Sequence, residues 1–495
     1  MSRPFLIVLI IAGYFGLLML ISNLTARKAD NSTYFIGNRK MAWPMVALAM
    51  ITAPVSGVTF ISVPGMVESK GFSYLQMCLG FIVGYFVIAL VLVPLYYKNN
   101  IVSIYSFLEE RFGREAYKTG AWFFLISKVL GTAVKFLVVC LVLQMLVFNP
   151  LGISFLINVL ITMTLIGLYT LKGGVKTVVW ADMVKSLVLV SSVILCIHII
   201  LSQLNISMPE LWNFLKTHES SRIFFFDNPS EGTYFWKQFI SGIFLVVAMT
   251  GLDQDLMQHT LSCKDSKSSR KNLYLSSFLQ FVVMALFLSL GFLMVFYMIN
   301  NSILVPSKSD DIFATVAFHN EMPLIMGILF ILGLVSASYS SVGSALTSLT
   351  TSFTVDILEA RKKYNDKDLG KVRKLSHLGI AIVMVLVIMI FYYVNNQDAI
   401  SAVFTLASYT YGPILGLFVF GIFSKRKVNP KWVALICVFA PILSWVIQFA
   451  GKRFFGYETG FELLLINASI ILIGLSILPV YVSEKEYESQ EGLVS

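Results

Sequence analysis

Apolar residues in this chain fall in long uninterrupted runs, separated by short polar or basic stretches. A helix needs about 20 apolar residues to cross a bilayer. Windows of that length predict thirteen spans, near 4–24, 42–66, 71–97, 117–148, 151–171, 177–204, 235–260, 271–300, 322–356, 373–394, 399–423, 430–451 and 461–483. The two-residue alternation of a membrane barrel is not seen. The first run, Pro4 to Asn23, has no small-residue cleavage site after it. It reads as a retained span rather than a signal peptide.

Two spans are predicted to break. The second contains Ala49-Met-Ile-Thr-Ala-Pro-Val-Ser-Gly57. Pro54 removes a helix hydrogen bond, and Gly57 lets the backbone open. The seventh contains Ala248-Met-Thr-Gly-Leu-Asp-Gln-Asp255, with Gly251 beside a polar run. The breaks lie five spans apart, as in an inverted repeat whose first helices are both discontinuous and shape a midplane site. Two ordinary kinks are the alternative. A third irregularity is chemical: Ser336-Ala-Ser-Tyr-Ser-Ser-Val-Gly-Ser344 places hydroxyl after hydroxyl inside a span. Lipid cannot hydrate them, so they face protein or a cavity. They serve either as hard oxygen ligands for a small alkali cation or as small-residue packing between helices.

Composition settles the class. With 57% hydrophobic residues, 13% charged and a mean hydropathy of +0.80, the chain is an all-α integral membrane protein. The net charge of +10 does not indicate nucleic acid, because the basic residues occupy short inter-helix loops. Arg27, Lys28, Arg39, Lys40, Arg111, Arg114, Lys118, Lys264, Lys267, Arg270, Lys271, the Arg361–Lys374 stretch and Lys425-Arg-Lys427 all fall on one face by this helix count. Loops 205–234 and 301–321 are poorer in Lys and Arg and richer in Asp and Glu. The basic face is expected to be cytoplasmic in a plasma (inner) membrane, with the N-terminus outside and the tail from Ser483 inside. Cys78, Cys140, Cys196, Cys263 and Cys437 show no metal-ligand or disulfide spacing. No nucleophile set, paired carboxylates or phosphate loop suggests an enzyme.

Five motifs in order resemble the sodium:solute symporter family. They are Tyr34-Phe-Ile-Gly-Asn-Arg39 with Trp43; Tyr105-Ser-Phe-Leu-Glu-Glu-Arg-Phe-Gly113; Tyr169-Thr-Leu-Lys-Gly-Gly-Val-Lys-Thr-Val-Val-Trp-Ala-Asp182; Asp253-Gln254 with Gln258; and Ser340-Ser341 with Ser348, Phe353 and Asp356. Val55-Ser-Gly-Val-Thr-Phe-Ile-Ser-Val-Pro64 is most similar to the branch carrying monocarboxylates, vitamins, iodide and some sialic acids. The resemblance implies a leucine-transporter-like fold of two inverted five-helix repeats within about thirteen transmembrane helices. It implies a single transporter domain over 1–495, with a core at 34–423 and peripheral helices and a short tail at 424–495. It also implies sodium as coupling ion, no cofactor and no enzymatic activity.

The family pattern places the main sodium site at Thr52, Val55, Ala337, Ser340 and Ser341. In some members the residue matching Asp182 supports a second sodium site. Here Ser344 is retained, but its neighbour is Gly343, and Lys185 stands where the family commonly has Gln. A Lys three residues on can neutralise the Asp directly. Asp182, Lys185 and Ser344 are therefore a second cation site or a structural pair. Ser56, Thr59, Phe60, Gln76, Lys135 and Gln254 are the candidates for solute contact. Lys128 and Lys135 share a helix face. Lys128 is expected to snorkel to an interface. Lys135 lies deeper, where an ammonium needs an anion, water or carbonyls. The function that follows is sodium-driven uptake of a small organic solute, carboxylated on this reading. Alternatives are a symporter for a neutral sugar or polyol, and a solute sensor on the same fold.

Overall fold

The computed structural model describes residues 3–26, 31–99, 101–394, 399–457, 459–460 and 462–479. Arg27, Lys28 and the tail from Ser483 lie outside them. Among the described residues, nine helices are long and apolar enough to cross a membrane, and two bent helix pairs bring the number to eleven if each pair is one span. In chain order the apolar helices are α1 (Arg3–Thr25), α2 (Trp43–Thr52), α3 (Gly57–Gly65), α4 (Tyr74–Lys98), α5 (Arg114–Phe148), α6 (Phe155–Leu171) and α7 (Gly173–Leu204). They continue with α8 (Phe235–Gly251), α9 (Gln254–Thr260), α10 (Ser266–Asn300), α11 (Leu324–Ile357), α12 (Asp366–Val394), α13 (Ala399–Phe423), α14 (Pro430–Phe455) and α15 (Leu463–Ile477). Helices α6 and α15 are apolar but shorter than those nine.

Both expected breaks are present. Helices α2 and α3 meet at 60° and α8 and α9 at 74°. Gly57 does not act through an unusual backbone angle. Instead α3 begins there against α5 and α11, and a Cβ would lie 2.1 Å from Ser338 Oγ and 2.6 Å from Val139. The Gly173-Gly174 pair separates α6 from α7. Gly174 has φ +52°, and a Cβ there would meet the Tyr34 backbone at 2.5 Å. Any side chain would be strained and would collide.

Helix α11 is the centre of the bundle. Its most apolar stretch is 83% buried, against 22% for α1 and α14, which face outward. Along α11 pack the α6–α7 segment, α5 and α12, and α2 packs against both α7 and α10. The hydroxyls of α11 are thereby enclosed in protein, where most find the backbone or side-chain partners that lipid cannot supply; Ser336 Oγ and Thr354 Oγ1 have none among the described residues. The basic loops gather at one end. Met41 N donates to Ser262 O at 3.1 Å, and Glu359 pairs with Arg114 at 3.0 Å and Lys118 at 3.1 Å. The acidic loops meet at the other: Ser62 Oγ donates to Asp310 at 2.5 Å and Phe72 N to Arg222 O at 3.0 Å.

Candidate functional site

A broken span leaves carbonyls without helical partners. Here the chain supplies them from a distance. Gln280 Nε2 of α10 donates to Met50 O at 2.9 Å; Tyr96 and Tyr105 hydroxyls donate to Gly251 O and Leu252 O, each at 2.9 Å. The breaks are thus fixed, and they face one another across a cavity. Its wall includes Ala53 to Ser56 and Thr59 from the first broken span, Met249, Thr250 and Asp253 from the second, Thr132 and Lys135 from α5, Gln280, Ser341 and Tyr411.

Of the five residues assigned to sodium by the family pattern, Val55 and Ser341 line this cavity, and Thr52 and Ser340 meet one another. Ala337, Ser340, Ser341 and Ser344 fall on one stripe of α11, at three- and four-residue steps. Ser340 Oγ donates to Thr52 Oγ1 at 3.2 Å. Thr52 Oγ1 also lies 2.8 Å from Ser186 Oγ and 3.3 Å from Asp182 O. Val55 sits between α2 and α3, so its carbonyl belongs to neither helix ladder. Ser341 opens onto the cavity.

Asp182 and Lys185 pair at 3.1 Å with both side chains fully enclosed. The Lys185 ammonium also donates to Tyr169 Oη at 2.8 Å and Tyr339 O at 3.1 Å. Ser344 does not join them; its hydroxyl donates to the Asp255 carboxylate. His259 places Nε2 3.3 Å from Asp182 Oδ2 and Nδ1 2.9 Å from Asp255 O. The sequence reading passed over His259, although Asp255 and His259 are four apart on one helix face.

The solute candidates divide. Ser56, Thr59 and Lys135 line the cavity. Lys135 forms no ion pair among the described residues. Three others do not reach it. Gln76 is fully buried and braces the loop before α8, donating to Thr233 O at 2.8 Å and accepting from Phe225 N at 3.0 Å. Gln254 holds the segment before Ser106, donating to Val102 O at 3.0 Å and accepting from Ile104 N at 2.9 Å. Phe60 stacks on Phe313 at 5.0 Å, inside an aromatic cluster with Phe287 and Phe330. Lys128 also departs from expectation. It does not snorkel but bridges Asp253 Oδ2 at 3.1 Å and Asp255 Oδ2 at 2.7 Å. Asp253 is further engaged by the Tyr411 hydroxyl and caps α9 through the backbone N–H of Asp255 and Leu256. The first charge on this face of α5 is therefore answered by the protein and the second is not.

Two discontinuous spans enclosing a mainly apolar cavity with a few polar groups define a membrane transporter with a central binding site. The chain belongs to the sodium:solute symporter family, whose model matches residues 34–431. It is a multi-pass membrane symporter, not an enzyme, and its coupling ion is sodium. It is similar to the sodium/sialic acid symporter NanT of Aliivibrio fischeri, with 25% identity over 94% of this chain and 92% of that protein. To the human sodium/iodide cotransporter it is 23% identical, over 89% of this chain and 68% of that one. Its fold is similar to that of a substrate-bound, outward-open Na+-coupled sialic acid symporter, with a TM-score of 0.83, 20% identity and coverage of 96% of this chain and 98% of that one.

Proposed function

We propose that this protein imports a small carboxylated organic solute, with about one sodium per solute. One observation carries the solute class: Lys135 presents an ammonium to the cavity between the two broken spans and makes no ion pair among the described residues, Asp253 of the same wall being taken by Lys128. An unpaired charge at that depth is costly, and a solute carboxylate answers it. The sialic acid symporters among its relatives support the same class.

Sodium is held by the carbonyls of Thr52, Val55 and Ala337 and the hydroxyls of Ser340 and Ser341, as hard oxygen ligands suit an alkali cation. Asp182 and Lys185 form a structural pair, which limits the stoichiometry. Counting α6 and α15 as spans gives thirteen helices, with two inverted five-helix repeats between residues 34 and 423 and a peripheral segment after them. The end where the basic loops gather is cytoplasmic. That puts the N-terminus outside.

Counterflow of labelled solute in proteoliposomes tests the reading, using a carboxylate and its carboxamide as a matched pair. Sodium-dependent exchange of the carboxylate, with little exchange of the amide, is the expected result. Equal exchange of both, or preference for a neutral sugar or polyol, sinks the carboxylate assignment. Saturable binding of the solute without any exchange would favour a sensor.

A further inference from the structure

We propose that the Lys185 ammonium is a tethered occupant of an alkali-cation position beside the coupling-ion site. This rests on the one-sodium reading above and explains it. The ammonium is completely enclosed and has three N–H donors. It meets three oxygens: Tyr169 Oη at 2.8 Å, Asp182 Oδ1 at 3.1 Å and Tyr339 O at 3.1 Å. A phenol, a carboxylate and a backbone carbonyl are all hard donors, the set an alkali cation takes. Their orientation is fixed for a positive charge. The Tyr169 hydroxyl donates its own proton to Tyr339 O at 2.7 Å, so its lone pairs are left for the cation.

The cage shares its walls with the coupling site. Asp182 O accepts from Thr52 Oγ1 at 3.3 Å. Tyr339 directly precedes Ser340, whose hydroxyl donates to Thr52 Oγ1 at 3.2 Å. Two cation positions therefore stand side by side, and the chain fills one of them itself. Lys185 is bonded to its helix and cannot leave with the solute, so the filled position moves no ion. The four-carbon stem of Lys185 reaches the cage from Asp182's own helix, one turn along, which keeps the ammonium in place when the coupling ion departs. The side chain thus sets how many ions are coupled.

Equilibrium binding of radiolabelled sodium to the full-length protein in nanodiscs tests the proposal. Wild type is expected to bind about one sodium and Lys185→Arg about one, because arginine keeps the charge. Lys185→Gln empties the cage and raises the count to about two, with the Hill coefficient of sodium-dependent uptake rising from about one towards two. A wild-type count near two overturns the proposal, and that measurement stands whichever variants fold. So does a count that stays near one in a Lys185→Gln protein that is monodisperse and still binds solute. Ser340→Ala separates the underlying reading. If it leaves the wild-type count near one while Lys185→Gln raises it, the coupling site is misplaced and the cage stands.

Discussion

Replacing Lys135 with methionine removes the ammonium and keeps most of the side-chain volume. Lys135 lines the cavity and makes no ion pair among the described residues, so the substitution strands no carboxylate. Folding is expected to hold or improve, because a poorly compensated charge in an apolar setting is itself destabilising. Solute affinity is expected to fall. A hydrogen bond to a charged group contributes about 1.5–3 kcal/mol. At about 1.4 kcal/mol per decade that is a rise in Kd of roughly 10- to 150-fold. Lys135→Arg should recover part of the loss, since guanidinium also grips a carboxylate but with a different reach. Isothermal titration of the carboxylated solute at saturating sodium measures the effect, and sodium titration without solute supplies the control. The sodium Kd should change less than the solute Kd. Unchanged solute affinity in Lys135→Met refutes the reasoning, and so does an equal loss for the carboxylate and its amide.

Three further outcomes are expected. Ser340→Ala and Ser341→Ala should each raise the sodium concentration for half-maximal uptake while the protein stays folded, because each deletes one hydroxyl near Thr52 and Val55; wild-type sodium dependence in both variants would show the site to be elsewhere. Gln254→Leu breaks two buried bonds to Val102 and Ile104 without touching the cavity. It should lower the melting temperature, by a loss of about 1–3 kcal/mol for each stranded group, and leave solute Kd unchanged; an affinity loss at constant melting temperature would return Gln254 to the binding site. Glu359 lies beyond the end of α11, and hydrogen bonds from Arg114 and Lys118 hold its carboxyl down to about 2. A depressed folded-state pKa gives stability that is present above the unfolded value near 4.5 and lost as pH falls towards 2. Melts of wild type and Glu359→Gln should therefore converge over that window; a constant difference across it would contradict the ion-pair assignment.

The sequence by itself determined the features that depend on local composition. Each span is written in its own apolar run, because the bilayer demands a stretch of sufficient length and internal backbone pairing. The two breaks are local as well: Pro54 and the polar Asp253-Gln-Asp255 run interrupt helices where they stand. The hydroxyl stripe of α11 follows from helical periodicity. Lys135 could be singled out because no acidic residue on its own helix face can reach it.

What the tertiary structure decided is which distant group answers each polar side chain. Lys128 and Lys135 look alike in sequence, seven residues apart on one face. Asp253 and Asp255, more than a hundred residues away, arrive beside the first and leave the second to the cavity. Gln254 lies at the second break and Gln76 at the start of α4, yet their amides are used up by loop backbone. Ser344 belongs to Asp255 rather than Asp182, and His259 spans the two. Inside a membrane bundle an unpartnered polar group is costly, and helix packing brings a partner from any part of the chain. Sequence periodicity fixes the face on which a residue stands. It carries no information about which helix will be pressed against that face.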